Sequence, residues 1–190
     1  RNGNIMNFFK HLSTVTRHRR IVRKLCFKCG LIRQGLAHDL SKFSPAEFWA
    51  GVKYYQGNRS PQAKEREVIG YSAAWLHHKG KNKHHFEYWT DYINGEKVYI
   101  EMPAKYLAEM ICDRIAASKT YLKDKYDKSF PLKYLEERTD KEGMNPETLN
   151  SLRRFLTILK EDGEDEMFKQ LKNFVEENKN RNKKARKTKL

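Results

Sequence analysis

All seven histidines of the chain, His11, His18, His38, His77, His78, His84 and His85, fall within its first 85 residues. Imidazole and carboxylate together are the donor set for a borderline divalent metal, so the chemistry to look for is metal chemistry. His11 and His18 lie seven residues apart and share one face of a helix. His38 is followed at once by Asp39. Neighbouring side chains sit about 100° apart on a helix, but near a helix end both can turn onto one ion. Lys42 comes four residues after His38 and three after Asp39, which puts an ammonium on the same side, one turn on. Asp113 lies three residues after Met110 and four before Ala117, on an apolar face. A carboxylate buried there demands a cation, either a metal or an arginine. The pairs His77-His78 and His84-His85 flank Gly80. They read as helix-end ligands followed by a loop that reaches back, or as a metal-scavenging surface patch. Glu47 and Glu87 are further candidate ligands or bases.

The block Leu36-Ala37-His38-Asp39-Leu40-Ser41-Lys42-Phe43 resembles the signature of the HD superfamily of metal-dependent phosphohydrolases. There an apolar helix ends in His-Asp, followed by a small residue and Lys; Ser41 stands where Gly is commoner. That superfamily also uses a first-helix histidine with Val four residues later. His11 with Val15 and His18 with Val22 both qualify, and His18 is favoured for its compact lead into the second helix. The stretch Glu109 to Ser118 resembles the block carrying the last ligand, Asp113. Ala74 to His85 resembles the His-His block of members with a larger site. The resemblance spans about residues 11–120. The chain is also similar to a little-characterised family of small bacterial and phage proteins with the same His-Asp-Leu-Ser-Lys and His-His-Lys-Gly pattern.

The resemblance implies a ligand set of His18, His38, Asp39, His77, His78 and Asp113, with His11, His84 and His85 as further candidates. These would hold one or two divalent transition-metal ions (Mn, Co, Ni, Fe or Zn). It implies hydrolysis of a phosphoester, in a nucleotide or nucleotide-like substrate, with Asp39, Lys42 and His78 as catalytic groups. Lys42, Lys79, Lys81 and Lys83 would neutralise phosphate charge, and a spare histidine would protonate the leaving group. Segments 43–60 and 80–92 are the expected pocket, with Tyr55 and Trp89 beside Phe43, Trp49, Tyr54, Phe86, Tyr88 and Tyr92; the alternative for such rings is the core. Two competing readings remain. One is the same fold as a di-iron oxygenase. The other is a non-catalytic, basic nucleic-acid-binding protein with a structural metal.

Helical spacing dominates the elements that must position these groups. The first helix is expected over about 4–29, with Gly30 as its stop. Its apolar stripe includes Phe8, Leu12, Val15, Val22 and Cys26. A short second helix covers about 31–40. Ser44-Pro45 and Ser60-Pro61 are start signals for a third helix and for a fourth that runs towards His78. Asn94-Gly95 favours a tight turn beside a short extended piece at 97–100. Further helices are expected over 102–126, 146–163 and 164–178, with a turn or more between 129 and 143. The expected architecture is a compact all-α bundle of six or seven helices of the HD type, spanning residues 4–178. Its motifs lie within 11–120, and a helical extension covers 130–178.

Composition narrows the class. The chain of 190 residues is 38% hydrophobic and carries a net charge of +15. No apolar run is long enough to cross a bilayer, so no membrane partner is expected. The last twelve residues hold seven Lys or Arg and no acid, which leaves the remainder at +8. This stretch, 179–190, reads as a disordered basic tail with nucleic acid as a candidate partner. Cys26, Cys29 and Cys112 are an odd set. The first two are read as core positions on a helix, because no second Cys pair completes a zinc set. Ile5-Met6 and Phe8-Phe9 run straight into Lys10 and Arg17–Arg20, so no secretory leader is expected. With the odd cysteine count, that points to the cytoplasm.

Overall fold

The computed structural model describes residues 2–137 and 143–187, with side chains from 5 to 137 and from 143 to 181. Helix α1 (Asn2–Lys28) ends at Gly30, whose φ of +73° suits a left-handed stop. Helix α2 (Ile32–Ala37) is short, and a 3₁₀ turn (Leu40–Phe43) leads into α3 (Pro45–Lys53). Next come α4 (Pro61–Ile69), α5 (Ala73–Lys81), the hairpin β1 (Thr90–Ile93) and β2 (Glu96–Tyr99), α6 (Ala104–Leu122), α7 (Phe130–Glu137), α8 (Pro146–Glu161) and α9 (Glu164–Lys187).

The all-helical class agrees with the sequence pattern, but the described residues form nine α-helices where six or seven were expected. The fourth helix is in fact two. Gly70, at φ +82°, stops α4, and Ser72 restarts the chain by accepting the amide of Trp75 at 2.9 Å. The turn between 129 and 143 is long enough to count as α7. Helix α9 carries on to Lys187, so the backbone of the expected tail is helical that far; residues 188–190 lie outside the described ones. No helix among the described residues is long and apolar enough to cross a membrane.

Two halves of α1 do different work. Its second half, through Val22, Leu25, Cys26 and Cys29, enters one apolar core with Leu107, Ile111, Cys112 and Ile115 of α6, Leu135 of α7, Leu152, Phe155 and Leu156 of α8, and Met167 and Leu171 of α9. Each fully buried Leu or Phe contributes about 1.5–3 kcal/mol. Leu135 of α7, the buried face of α8 and the start of α9 complete the core on which α1 and α6 are held. The three cysteines are buried and free, as the core reading expects. Burial, with Cys26 and Cys29 alongside, pushes the Cys112 thiol up.

The first half of α1 faces α3: the Phe8 and His11 rings pack on Phe48 with centroids 5.2 Å away in each case. Two anchors tie the hairpin region to α8. Asn145 caps α8 through the amides of Glu147 and Thr148 and donates to the Tyr99 carbonyl at 2.9 Å. The Met102 amide donates to Thr148 Oγ1 at 2.9 Å. Asn94 and Gly95 have φ of 54° and 84°, the signature of a tight hairpin turn, as their sequence implies.

Candidate metal centre

The His-Asp dipeptide owes its geometry to a helix break. Helix α2 stops at Ala37, His38 takes an extended ψ, and Asp39 adopts a left-handed conformation at φ 54°. Asp tolerates that region better than most residues. Arg19 pins the break: its Nε donates to the His38 carbonyl at 2.8 Å and its Nη2 to the Leu36 carbonyl at 3.1 Å. The outcome is that both side chains face inward, and His38 and Asp39 are almost fully buried.

Around them converge side chains from four other segments. From α1, His18 Nε2 lies 3.0 Å from Asp113 Oδ1 and 3.8 Å from Asp39 Oδ2. His38 Nε2 lies 3.4 Å from Asp39 Oδ2 and 3.6 Å from Asp113 Oδ1. From α5, His78 Nε2 is 3.3 Å from Asp39 Oδ1, and from the loop beyond it His84 Nε2 is 3.4 Å from the same oxygen. His85 packs against them, its ring tilted on His84 with centroids 4.2 Å apart and edge-on to His78 at 4.8 Å. Two sets emerge in which every ligand atom lies within 4.8 Å of the others: His18, His38, Asp39 and Asp113, and Asp39, His78, His84 and His85. Asp39 belongs to both, with Oδ2 turned to the first and Oδ1 to the second.

The inward atoms fit metal better than each other. His18 Nε2, His38 Nε2, Asp39 Oδ1, His84 Nε2 and His85 Nε2 are buried and make no hydrogen bond, although several stand within 3–4 Å of an opposite charge. Buried polar atoms are nearly always paired, so a cluster of five calls for a partner of another kind. Nitrogen and carboxylate oxygen in this ratio suit Mn, Fe, Co, Ni or Zn rather than Ca or Mg. Outside the cluster, carboxylates set the ring directions. Glu47 receives His78 Nδ1 at 2.7 Å, while Glu109 lies 3.0 Å from His38 Nδ1 and 3.2 Å from His84 Nδ1.

Electrostatics follow from this crowding. Burial would raise the Asp39 carboxyl, but His38, Lys42, His78 and His84 outweigh it and hold it well below the usual range. Burial likewise works to raise Asp113, and His18 and His38 bring it down. Burial pushes His18 below the usual imidazole range and His85 well below it. For His38, burial is overcome by Asp39, Asp113 and Glu109, and its value rises to about 10. Lys42 Nζ sits 3.0 Å from Asp39 Oδ2, and that carboxylate keeps the ammonium protonated against burial.

Not every expected ligand arrives. His77 Nδ1 bonds Glu47 Oε1 at 2.7 Å with a third of the side chain exposed, and it stays outside both sets. The adjacent positions on α5 point about 100° apart, so only His78 reaches Asp39. His11 is buried against Gly51 and Phe48 and also joins neither set. It lines a cavity of about 180 Å³ together with His18, Lys42, Glu47, Tyr55, His85, Asp113 and Tyr121. A second cavity, of about 350 Å³, also borders His85 and Asp113; Phe86, Met110, Arg114, Phe130, Pro131 and Tyr134 line it. Arg59, Trp75, His85, Asp113 and Tyr121 border both cavities.

The pocket differs from expectation. Tyr55 and Phe86 line a cavity, but Phe43, Trp49, Tyr54, Tyr88, Trp89 and Tyr92 line neither of these two. Trp89 instead donates to the Lys83 carbonyl at 2.7 Å and packs on Tyr106. Lys79, Lys81 and Lys83 also miss these cavities, with Lys83 lying over the Tyr88 ring. Arg59 and Arg114 stand there in their place. Sequence reasoning passed over Glu109, although it lies one helical turn before Asp113 on the same face, and it passed over the whole α6–α7 wall.

The family model described as a family of unknown function (DUF5662) matches residues 7–158. The chain belongs to the DUF5662 family. No curated protein and no solved structure matches it. In this DUF5662 protein the match takes in all seven histidines, Asp39, Asp113, Glu47 and Glu109, and stops short of α9.

Proposed function

We propose that the protein hydrolyses phosphate esters of the nucleotide class at a centre of two divalent transition-metal ions. The observation that carries this reading is the position of Asp39, whose two oxygens face two separate sets of imidazole and carboxylate atoms. His18, His38, Asp39 and Asp113 would hold one ion; Asp39, His78, His84 and His85 would hold the other. Ions held there supply Lewis-acid stabilisation of phosphoryl charge and a nucleophile near neutral pH.

The chain's own groups do the rest. Lys42, charged and facing the smaller cavity, meets a non-bridging phosphate oxygen. Tyr55, its hydroxyl 3.0 Å from Thr14 Oγ1, is fixed as part of the cavity wall. Burial and the Lys42 charge lower His11 to about 4, so it is neutral at pH 7 and a poor proton donor to a leaving group. The larger cavity is within the range of small-ligand pockets and takes the organic part of the ester. Aromatic faces beside arginine suit a nucleobase. The same donors would also suit two irons in an oxygenase. Lys42, within 3.0 Å of the shared carboxylate, favours phosphate.

The test is metal analysis of the purified protein, followed by phosphate release from a panel of nucleotides with Mn, Co or Ni. About two ions per chain and turnover on at least one nucleotide are expected. Metal-loaded protein inert on the whole panel would overturn the proposal. Bound iron with an oxo-bridge absorption band would move the reading to the oxygenase.

A further inference from the structure

We propose that Glu109 is a positioning residue common to both metal positions, so that a single carboxylate aims one imidazole into each and couples their loading. The inference rests on the two-ion reading above. Glu109 Oε1 lies 3.0 Å from His38 Nδ1 and 3.2 Å from His84 Nδ1. His38 contributes its Nε2 to the first set and His84 to the second, and the two rings stand 4.4 Å apart. In a neutral ring, a carboxylate that accepts a proton from Nδ1 leaves the lone pair on Nε2, which is the atom facing Asp39 in each ring, and an ion binding there displaces any second proton.

The carboxylate is itself held. Its Oε2 accepts from Gln34 Nε2 at 2.8 Å, and the same amide nitrogen donates to the Lys105 carbonyl at 3.0 Å. Helix α2, which ends in the His-Asp break, is thereby tied to the α6 turn that carries both Glu109 and Asp113. Glu47 is the natural contrast. Its oxygens serve His77 and His78, of which only His78 belongs to a set, the second. Removing Glu47 should therefore disturb one position, and removing Glu109 should disturb two.

His38, His84 and Glu109 also form a set of their own with ligand atoms within 4.8 Å, which offers a third ion as the rival account. It is disfavoured because the Nε2 atoms are the unpartnered ones, whereas both Nδ1 atoms already face Glu109 Oε1.

The experiment is titration of the metal-free full-length chain with Co²⁺, read by visible absorption and by bound-ion count. Wild type is compared with Glu109→Gln, Glu47→Gln and Gln34→Ala. The expected result is two equivalents in wild type, both weakened about tenfold to a hundredfold by Glu109→Gln. Glu47→Gln weakens one. Gln34→Ala, which touches no imidazole, weakens both by a smaller factor and keeps the test open should Glu109→Gln not fold. Loss of one equivalent or none in Glu109→Gln, or both equivalents untouched in Gln34→Ala, overturns the proposal. So does a third wild-type equivalent that Glu109→Gln removes. A wild type taking up fewer than two ions fails at an earlier step: the two-ion reading falls, and the shared role of Glu109 with it.

Discussion

At the scale of single residues, Asp39 is where backbone and chemistry meet. Its left-handed conformation is one that Asn also tolerates, so Asp39→Asn keeps the turn while removing the charge that both sets share. Under the proposed function this variant retains neither ion in metal analysis, and hydrolysis falls by more than about 10²-fold, the upper cost of losing only an outer partner. His11 offers a different measurement. Burial and Lys42 bring it to about 4 from the ordinary 6.5. Between those values the folded chain binds fewer protons than the unfolded one. Stability from this group is therefore present above pH 6.5 and lost as the pH falls through the window towards 4. Urea midpoints of metal-free protein across that window should fall less steeply for His11→Gln than for wild type; equal slopes would show that His11 is not the group responsible.

At the scale of elements, the approach of α1 to α3 turns on a missing side chain. A Cβ added at Gly51 would lie 2.1 Å from His11 Nε2, closer than any real contact, so α3 can sit on α1 only with glycine there. Gly51→Ala should destabilise by about 1–3 kcal/mol through overpacking. The double variant Gly51→Ala, His11→Ala should be more stable than the sum of the two single effects predicts. Strict additivity in denaturant titrations would mean that the methyl group finds room elsewhere. Element boundaries also explain the histidine pairs. His77 and His78 share α5, yet only one faces Asp39, whereas His84 arrives because the chain turns after Lys81. Asn82 holds that turn by donating to the His78 carbonyl and to Ser41 Oγ, each at 2.8 Å.

For the whole molecule, the cluster draws on α1, the α2–α3 break, α5, its following loop and α6, so bound metal should act as a cross-brace on the fold. Metal present at a hundred times its dissociation constant stabilises by about 2.7 kcal/mol, which for a chain of this size raises Tm by about 5–10 °C. A chelator should reverse the shift in thermal scans. An unchanged Tm, with metal shown to be bound, would mean that the cluster forms equally well without it. Among the described residues, helices α7, α8 and α9 supply none of the clustered ligand atoms but complete the core behind α1 and α6, and α7 closes the larger cavity through Phe130 and Tyr134.

Much of this was legible before any fold was known, for definable reasons. Helical periodicity is a local property, so the all-α class and most helix starts could be read from spacing, and the donor types at His38-Asp39 and Asp113 from the residues themselves. Local rules could not choose between His11 and His18, because seven residues return to the same face about 10.5 Å along the axis; only the docking of α2 and α6 decided that His18 meets Asp39. Nor could they say that His77 would turn to Glu47, that Glu109 would stand behind two imidazoles, or that α6 and α7 would wall the cavity. Donor identity is written residue by residue, but direction and distance depend on how helices far apart in the chain pack. The sequence alone therefore determined which groups were available to hold a cation, and tertiary structure decided which of them converge.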